Sequence, residues 1–159
     1  MEALSTRKGA LLEQWLERIL ATYPSQTAGF LRKEKDRFRN PVGSTLKEGL
    51  TTLLDEITGE MDAARIKPAL ESIVRLRAVQ DFTAAQATGF VFALREILYD
   101  NLEGGGPPAL QKRLDEMALL AFDLYMRCRE EIYEIKARER QREVYVWERM
   151  SHQAQGQST

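Results

Sequence analysis

One segment of this chain, Ala109–Met150, contains neither glycine nor proline and so constrains the fold more than any other feature. It follows the strongest break in the sequence, Gly104-Gly105-Gly106-Pro107-Pro108, which can occupy neither a helix interior nor a central strand. Because nothing after that break interrupts a helix, the sequence predicts one continuous C-terminal helix about 60 Å long at 1.5 Å per residue.

Only the first part of this helix carries the apolar spacing of a buried face. Its apolar residues recur at intervals of four and three, which predicts a seam against a core. The seam residues are Leu110, Leu114, Met117, Ala121, Leu124, Cys128, Ile132 and Ile135. Lys136–Glu143 is almost wholly polar, so we expect the helix to leave the core there. We therefore predict a single domain over 1–140, a helical extension over 141–150 and a disordered tail over 151–159.

Apolar residues upstream also recur at helical intervals, and no run alternates as a strand does. We expect one helix to end at Pro24, a short turn capped by Ser25 that buries Phe30 and Leu31, and another helix after Asn40-Pro41. A third helix should hold Pro68 in its first turn, and Thr83-x-x-Gln86 matches a capping box that begins a fourth. The predicted class is all-α, and the core should include Trp15, Leu50, Leu94 and Leu124.

Composition argues against several partners and compartments. The 23 basic residues nearly balance the 24 acidic ones, so bulk attraction to nucleic acid or to a membrane surface is not expected. No stretch approaches the length of a membrane span, and the N-terminus has no signal-peptide core. Because Cys128 is the only cysteine, no internal disulfide can form. These features predict a cytoplasmic protein.

The inventory of reactive side chains disfavours an enzyme. His152, the only histidine, lies in the polar tail, and no phosphate-binding glycine motif is present. Glu130, Glu131 and Glu134 cluster on the long helix, but we interpret them as a solvated face, because a carboxylate metal site normally needs partner histidines. We predict no catalytic, cofactor-binding or metal-binding residue.

A short basic segment carries an isolated aromatic residue. Its cations are Arg32, Lys33, Lys35, Arg37 and Arg39. Glu34 and Asp36 interrupt them, and Phe38 is the aromatic. Two interpretations are open: a solvated connector with Phe38 tucked inward, which mixed charge favours, and a docking patch for an acidic partner. Cys128 falls on the apolar seam and is predicted to be a buried, inert thiol.

Multi-residue patterns occur in a fixed order between Leu11 and Arg140. They are Trp15–Leu20 before Tyr23-Pro24, Lys35–Phe38 with Asn40–Gly43, Arg77–Phe82, Ala85–Phe90 and Leu120–Glu130. Together they resemble the N-terminal domain of RsbR-type RsbT co-antagonist proteins. The resemblance implies a globin-like helical sensory domain, often dimeric and without haem, that signals through its last helix to a STAS or kinase output domain. The sequence ends soon after that helix, so we expect no output domain on this chain.

The lack of any histidine from Met1 to Ser151 separately disfavours haem, because a haem globin needs a proximal imidazole inside the fold. We predict a non-enzymatic regulatory module that binds a protein partner or a second copy of itself through the long helix. The predicted partner-binding residues, apolar and aromatic beyond the core, are Val144, Tyr145, Trp147 and Met150. The alternative is a small-molecule sensor with a pocket formed by Phe90, Leu94, Phe122 and Tyr125. A second interpretation of Val144–Met150 is that the helix bends back and these residues pack against their own domain.

Overall fold

The computed structural model of the chain describes residues 2–156. Within that range it contains α-helices and one short 3-10 turn at Glu103–Gly105, and no strand. The helices are α1 Glu2–Leu20, α2 Ser25–Lys33, α3 Pro41–Thr58, α4 Ala63–Val79, α5 Ala84–Thr88, α6 Phe90–Asn101 and α7 Pro108–Gly156. The predicted all-α class with a long C-terminal helix is confirmed.

The core lies where α1, α3, α4 and α6 meet the first half of α7. Helix α4 packs on both α3 and α7, while α1 packs on α3 and α6. Trp15 sits fully buried at the centre, where its indole Nε1 donates a hydrogen bond of 2.6 Å to the carbonyl oxygen of Phe90. Leu50, Leu94 and Leu124 are also buried, so the predicted core residues are confirmed.

Side-chain caps fix two helix starts, of which the capping box at Thr83 was predicted and the cap at Asn40 was not. Thr83 and Gln86 form a complete capping box at α5, and Asn40 caps α3 with Pro41 as its first residue. The helix expected from Thr83 onward divides at Gly89, where α5 ends and α6 begins.

Predictions at the start of the chain need correction. Helix α1 runs from Glu2 to Leu20 and so ends four residues before Pro24, where its end was expected. Ser25 is the first residue of α2 and provides no cap, because the N-cap position is occupied by Pro24. Phe30 is half exposed, since the short α2 turns Ala28 into the core instead.

Two predictions in the connections were also wrong. Asp62 caps α4 and places Pro68 in the second turn, on the solvent side of the helix. Phe38 is not tucked inward but is 92% exposed. The turn that presents Phe38 is held by hydrogen bonds from the backbone N–H groups of Phe38 and Asn40 to Asp36, and it holds the ring in solvent.

Helix α7 keeps its predicted buried seam from Leu110 to Cys128. Ile132 is only partly buried and Ile135 is exposed, because the core ends there. The helix continues through 151–156, where disorder was expected, since neither proline nor glycine interrupts it before Gly156. Residues 157–159 lie outside the described part of the chain.

Candidate functional site

Helix α7 projects far beyond the domain that it helps to build. Every residue from 133 to 156 is exposed, which corresponds to a free helix of roughly 35 Å. The helix does not bend back, so no part of this extension packs on the domain. The extension therefore presents its side chains to solvent on all sides.

The far part of this extension carries an apolar group that we call the tip cluster. It consists of Val144, Tyr145, Val146, Trp147 and Met150. All five side chains are more than half exposed, and Trp147 reaches 75%. The Arg149 guanidinium lies 5.7 Å from the ring centroid of Tyr145, which adds a cation to the aromatic surface. Aromatic residues, Met and Arg are the types enriched in the centres of protein interfaces.

A second exposed apolar surface lies on α7 beside the domain, and the sequence analysis missed it. This outer face consists of Leu119, Phe122, Met126 and Tyr133. At 3.6 residues per turn it points away from the buried seam. The spacings of three, four and seven residues between these side chains were the available signal, but a single apolar face, the buried seam, was predicted for the helix.

Two residues of the tip cluster, Val144 and Trp147, lie on the same side of α7 as the outer face. Val144 follows Met126 after about five turns, and Trp147 follows Phe122 after about seven turns, so each pair shares a direction. The charged segment 136–143 separates the two groups. A partner helix lying along this side would therefore contact apolar residues at both ends of the extension.

The point where α7 leaves the domain is fixed by polar contacts to α4 and to the turn that follows it. The Tyr125 hydroxyl donates to the carbonyl oxygen of Phe82 at 2.9 Å. Arg129 lies 3.6 Å from the Asp81 carboxylate and also donates to the Tyr133 hydroxyl. Within this junction, Glu131 forms a salt bridge with Arg75 of α4 at 2.9 Å and so helps to hold α7 against α4.

A buried arginine of α4 contacts the turn between α4 and α5 from the core side. The Arg77 side chain is 1% exposed and donates through Nη2 to the Thr22 hydroxyl and to the Gln86 carbonyl oxygen. Its Nε and Nη1 atoms have no hydrogen-bond partner, and no salt bridge reaches it within the described chain. Burial lowers the pKa of the Arg77 guanidinium from its ordinary value.

The four residues of the predicted pocket do not converge on one space. Phe90 stacks on Trp15 with ring centroids 6.2 Å apart, and Leu94 is fully buried in the same core. Tyr125 is buried at the junction, whereas Phe122 is 48% exposed on the outer face. A groove of about 460 Å³ between α3 and α4 is open to solvent, and none of these four residues lines it.

None of the helices between residues 2 and 156 combines the length and apolar character that a membrane crossing requires. The chain is 26% identical over 136 residues to an uncharacterized protein of Archaeoglobus fulgidus, covering 82% of this chain and 83% of that one. No solved structure is significantly similar to the present chain. Residues 9–140, which include the junction and all of the buried core except Leu4, match the model of the RsbT co-antagonist protein rsbRD N-terminal domain. The chain belongs to this family of rsbRD N-terminal domains.

Proposed function

We propose that this domain is a regulatory module without catalytic activity, which acts by associating with another protein through helix α7. Membership in a family of RsbT co-antagonist domains supports a regulatory, sensor-like role. Residues 1–140 form the folded domain in this proposal, and 141–150 are the extension that docks. The single reduced cysteine is compatible with the cytoplasm, where we place the protein.

The observation that carries the proposal is the exposure of the tip cluster. Five large apolar side chains lie within seven residues of a helix that its own domain does not cover. Burying apolar surface is favourable by about 25 cal/mol per Å², so such a cluster gains stability only when a partner covers it. The outer face extends the side of Val144 and Trp147 back to the domain and enlarges the contact.

The occupant that we propose is α7 of a second copy. A symmetric dimer uses the same surface twice, so one apolar side of α7 serves both partners. The small-molecule sensor has no comparable support, since Phe122 lies outside the core that holds Phe90 and Leu94.

Sedimentation velocity over a range of protein concentrations tests this proposal. The wild-type chain should self-associate, and Trp147→Ala should weaken association about tenfold or more, as expected for a central interface aromatic. Phe30→Ala is the matched control, because Phe30 is a half-exposed aromatic on α2.

The results of these measurements distinguish a second copy from a foreign protein and from a contact within the chain. A monomeric wild-type chain that recovers a partner protein, which Trp147→Ala fails to recover, would replace the second copy by a foreign protein. A monomer that loses thermal stability on Trp147→Ala, with partner recovery unchanged, would refute docking and support a contact within the chain.

A further inference from the structure

A second surface, remote in sequence from α7, has the features of a peptide-binding site. It is the segment 32–39 at the end of α2 and before α3, which we call the basic loop. The loop has five cations and two carboxylates. Phe38 at its apex is, with 92% exposure, the most exposed large apolar side chain of residues 2–156.

Hydrogen bonds hold the basic loop in one conformation. The Phe38 backbone N–H donates to the Asp36 carboxylate at 2.9 Å, and the Asn40 backbone N–H donates to the Asp36 carbonyl oxygen at 2.8 Å. The buried Asn40 side chain donates to the carbonyl oxygens of Leu31 and Glu34, both at 3.0 Å. Phe38 is therefore displayed by an ordered turn, and little ordering entropy remains to be lost when a partner binds.

A groove of about 260 Å³ adjoins the loop between α2 and α3. Its lining residues include Leu16, Leu31, Arg32, Lys35, Lys47 and Glu48. The leucines provide an apolar floor, and the cations provide a basic rim. This arrangement suits an apolar side chain flanked by acidic residues.

The charges differ in whether they are already paired. Arg32 is paired with Glu17 at 2.7 Å, and Arg37 is paired with Glu48 at 3.2 Å. Lys33, Lys35 and Lys47 have no salt bridge to any described residue. The unpaired cations of the groove are thus the two lysines that line it, Lys35 and Lys47.

We propose that the basic loop and its groove bind an acidic segment of a partner protein, with apolar side chains of that segment packed against the exposed Phe38 ring and on the groove floor. Charge complementarity with Lys35 and Lys47 selects the acidic character. A nucleic acid is disfavoured because leucines line the groove floor and the 23 basic residues of the chain do not exceed its 24 acidic ones. This surface is independent of the proposed association through α7.

Selection from a phage-displayed library of random linear peptides, with the full chain as bait, tests the proposal. Enriched peptides should be rich in Asp and Glu and contain Leu, Ile or Phe. A fluorescein-labelled copy of the best peptide should bind in an anisotropy titration, more weakly as salt is raised. Phe38→Ala, and separately Lys35→Glu with Lys47→Glu, should weaken binding about tenfold or more.

Lys67→Glu on α4 and Trp147→Ala on α7 are the matched controls, and both should bind the peptide as the wild type does. Unfolding midpoints should be unchanged in Phe38→Ala, because the side chain is exposed. The proposal is overturned by a library that yields no binder, by enriched peptides without acidic residues, or by full binding to Phe38→Ala. Loss of binding in Trp147→Ala would move the site to α7. A single-stranded oligonucleotide that binds more tightly than the peptide, and is lost in the same variants, would assign the loop to nucleic acid.

Discussion

The guanidinium carbon of Arg77 lies 4.2 Å from the ring centroid of Phe82, so a cation buried in the core stacks on the residue whose carbonyl oxygen binds Tyr125 of α7. This contact joins the α4–α5 turn to the point where α7 leaves the domain. No carboxylate of the described residues pairs with Arg77, and two of its nitrogens lack partners.

Arg77→Met is therefore expected to change the free energy of unfolding by less than about 1 kcal/mol, because it keeps the volume and removes a buried, uncompensated charge. Arg77→Ala should cost about 2 to 4 kcal/mol, since it loses the packing on Phe82 as well. Urea unfolding of both variants measures the difference. Equal losses in the two would show that the bonds to Thr22 and Gln86 dominate instead.

The two apolar sides of α7 should respond differently to truncation. Leu124→Ala is expected to cost about 2 to 5 kcal/mol in the free energy of unfolding, because Leu124 is buried. Leu119→Ala, at 70% exposure, should cost less than about 0.5 kcal/mol at concentrations where the chain is monomeric. Unfolding curves at low protein concentration decide this, and a large loss in Leu119→Ala would mean that the outer face is covered within the monomer.

Asn40→Asp should destabilise the chain although aspartate is as good an N-cap as asparagine. The Asn40 amide nitrogen donates to two carbonyl oxygens, and a carboxylate there would meet them with an acceptor. We expect a cost of about 2 to 4 kcal/mol at neutral pH. Burial against carbonyl oxygens raises the pKa of the new carboxyl. The loss in free energy of unfolding should therefore shrink as the pH falls through that raised pKa. A deficit that is constant with pH would contradict this account.

Burial raises the pKa of the Cys128 thiol. The folded chain therefore holds this proton more tightly than the unfolded chain, and the free energy of unfolding should decrease as the pH rises past about 8.5. Cys128→Ala should reduce that decrease between pH 8 and about 9.5, below the range in which tyrosines ionise. Alkylation by iodoacetamide at neutral pH should be at least about tenfold slower in the folded chain than in urea. Rapid alkylation of the folded chain would contradict the buried position.

Features governed by neighbouring residues were predictable from the sequence. Thr83 and Gln86 form their capping box through contacts within one turn, and Asn40-Pro41 sets the start of α3 in the same local way. The seam from Leu110 to Cys128 was predictable because a helix of fixed pitch needs only one buried face to match its pattern.

Features that depend on whether another helix covers a side chain were not predictable from the sequence. Phe38 is exposed because an ordered turn carries it away from the core, which its residue type did not indicate. Phe122 and Leu94 belong to helices with similar apolar spacing, but only the packed structure shows that one faces solvent. The tip cluster was identified from its composition, and its exposure follows from the straight course of α7.

Because α7 is long, a small change in its direction displaces its far end by a large distance. Trp147 lies 18 residues beyond Arg129, or about 27 Å along the helix axis. If the helix pivots at Arg129, a tilt of about 10° displaces Trp147 sideways by about 5 Å, roughly half the spacing between the axes of two packed helices. A small change in the bonds of Tyr125 to Phe82 or of Arg129 to Ala78 at the junction would thus be amplified into the making or breaking of a helix contact at the tip cluster.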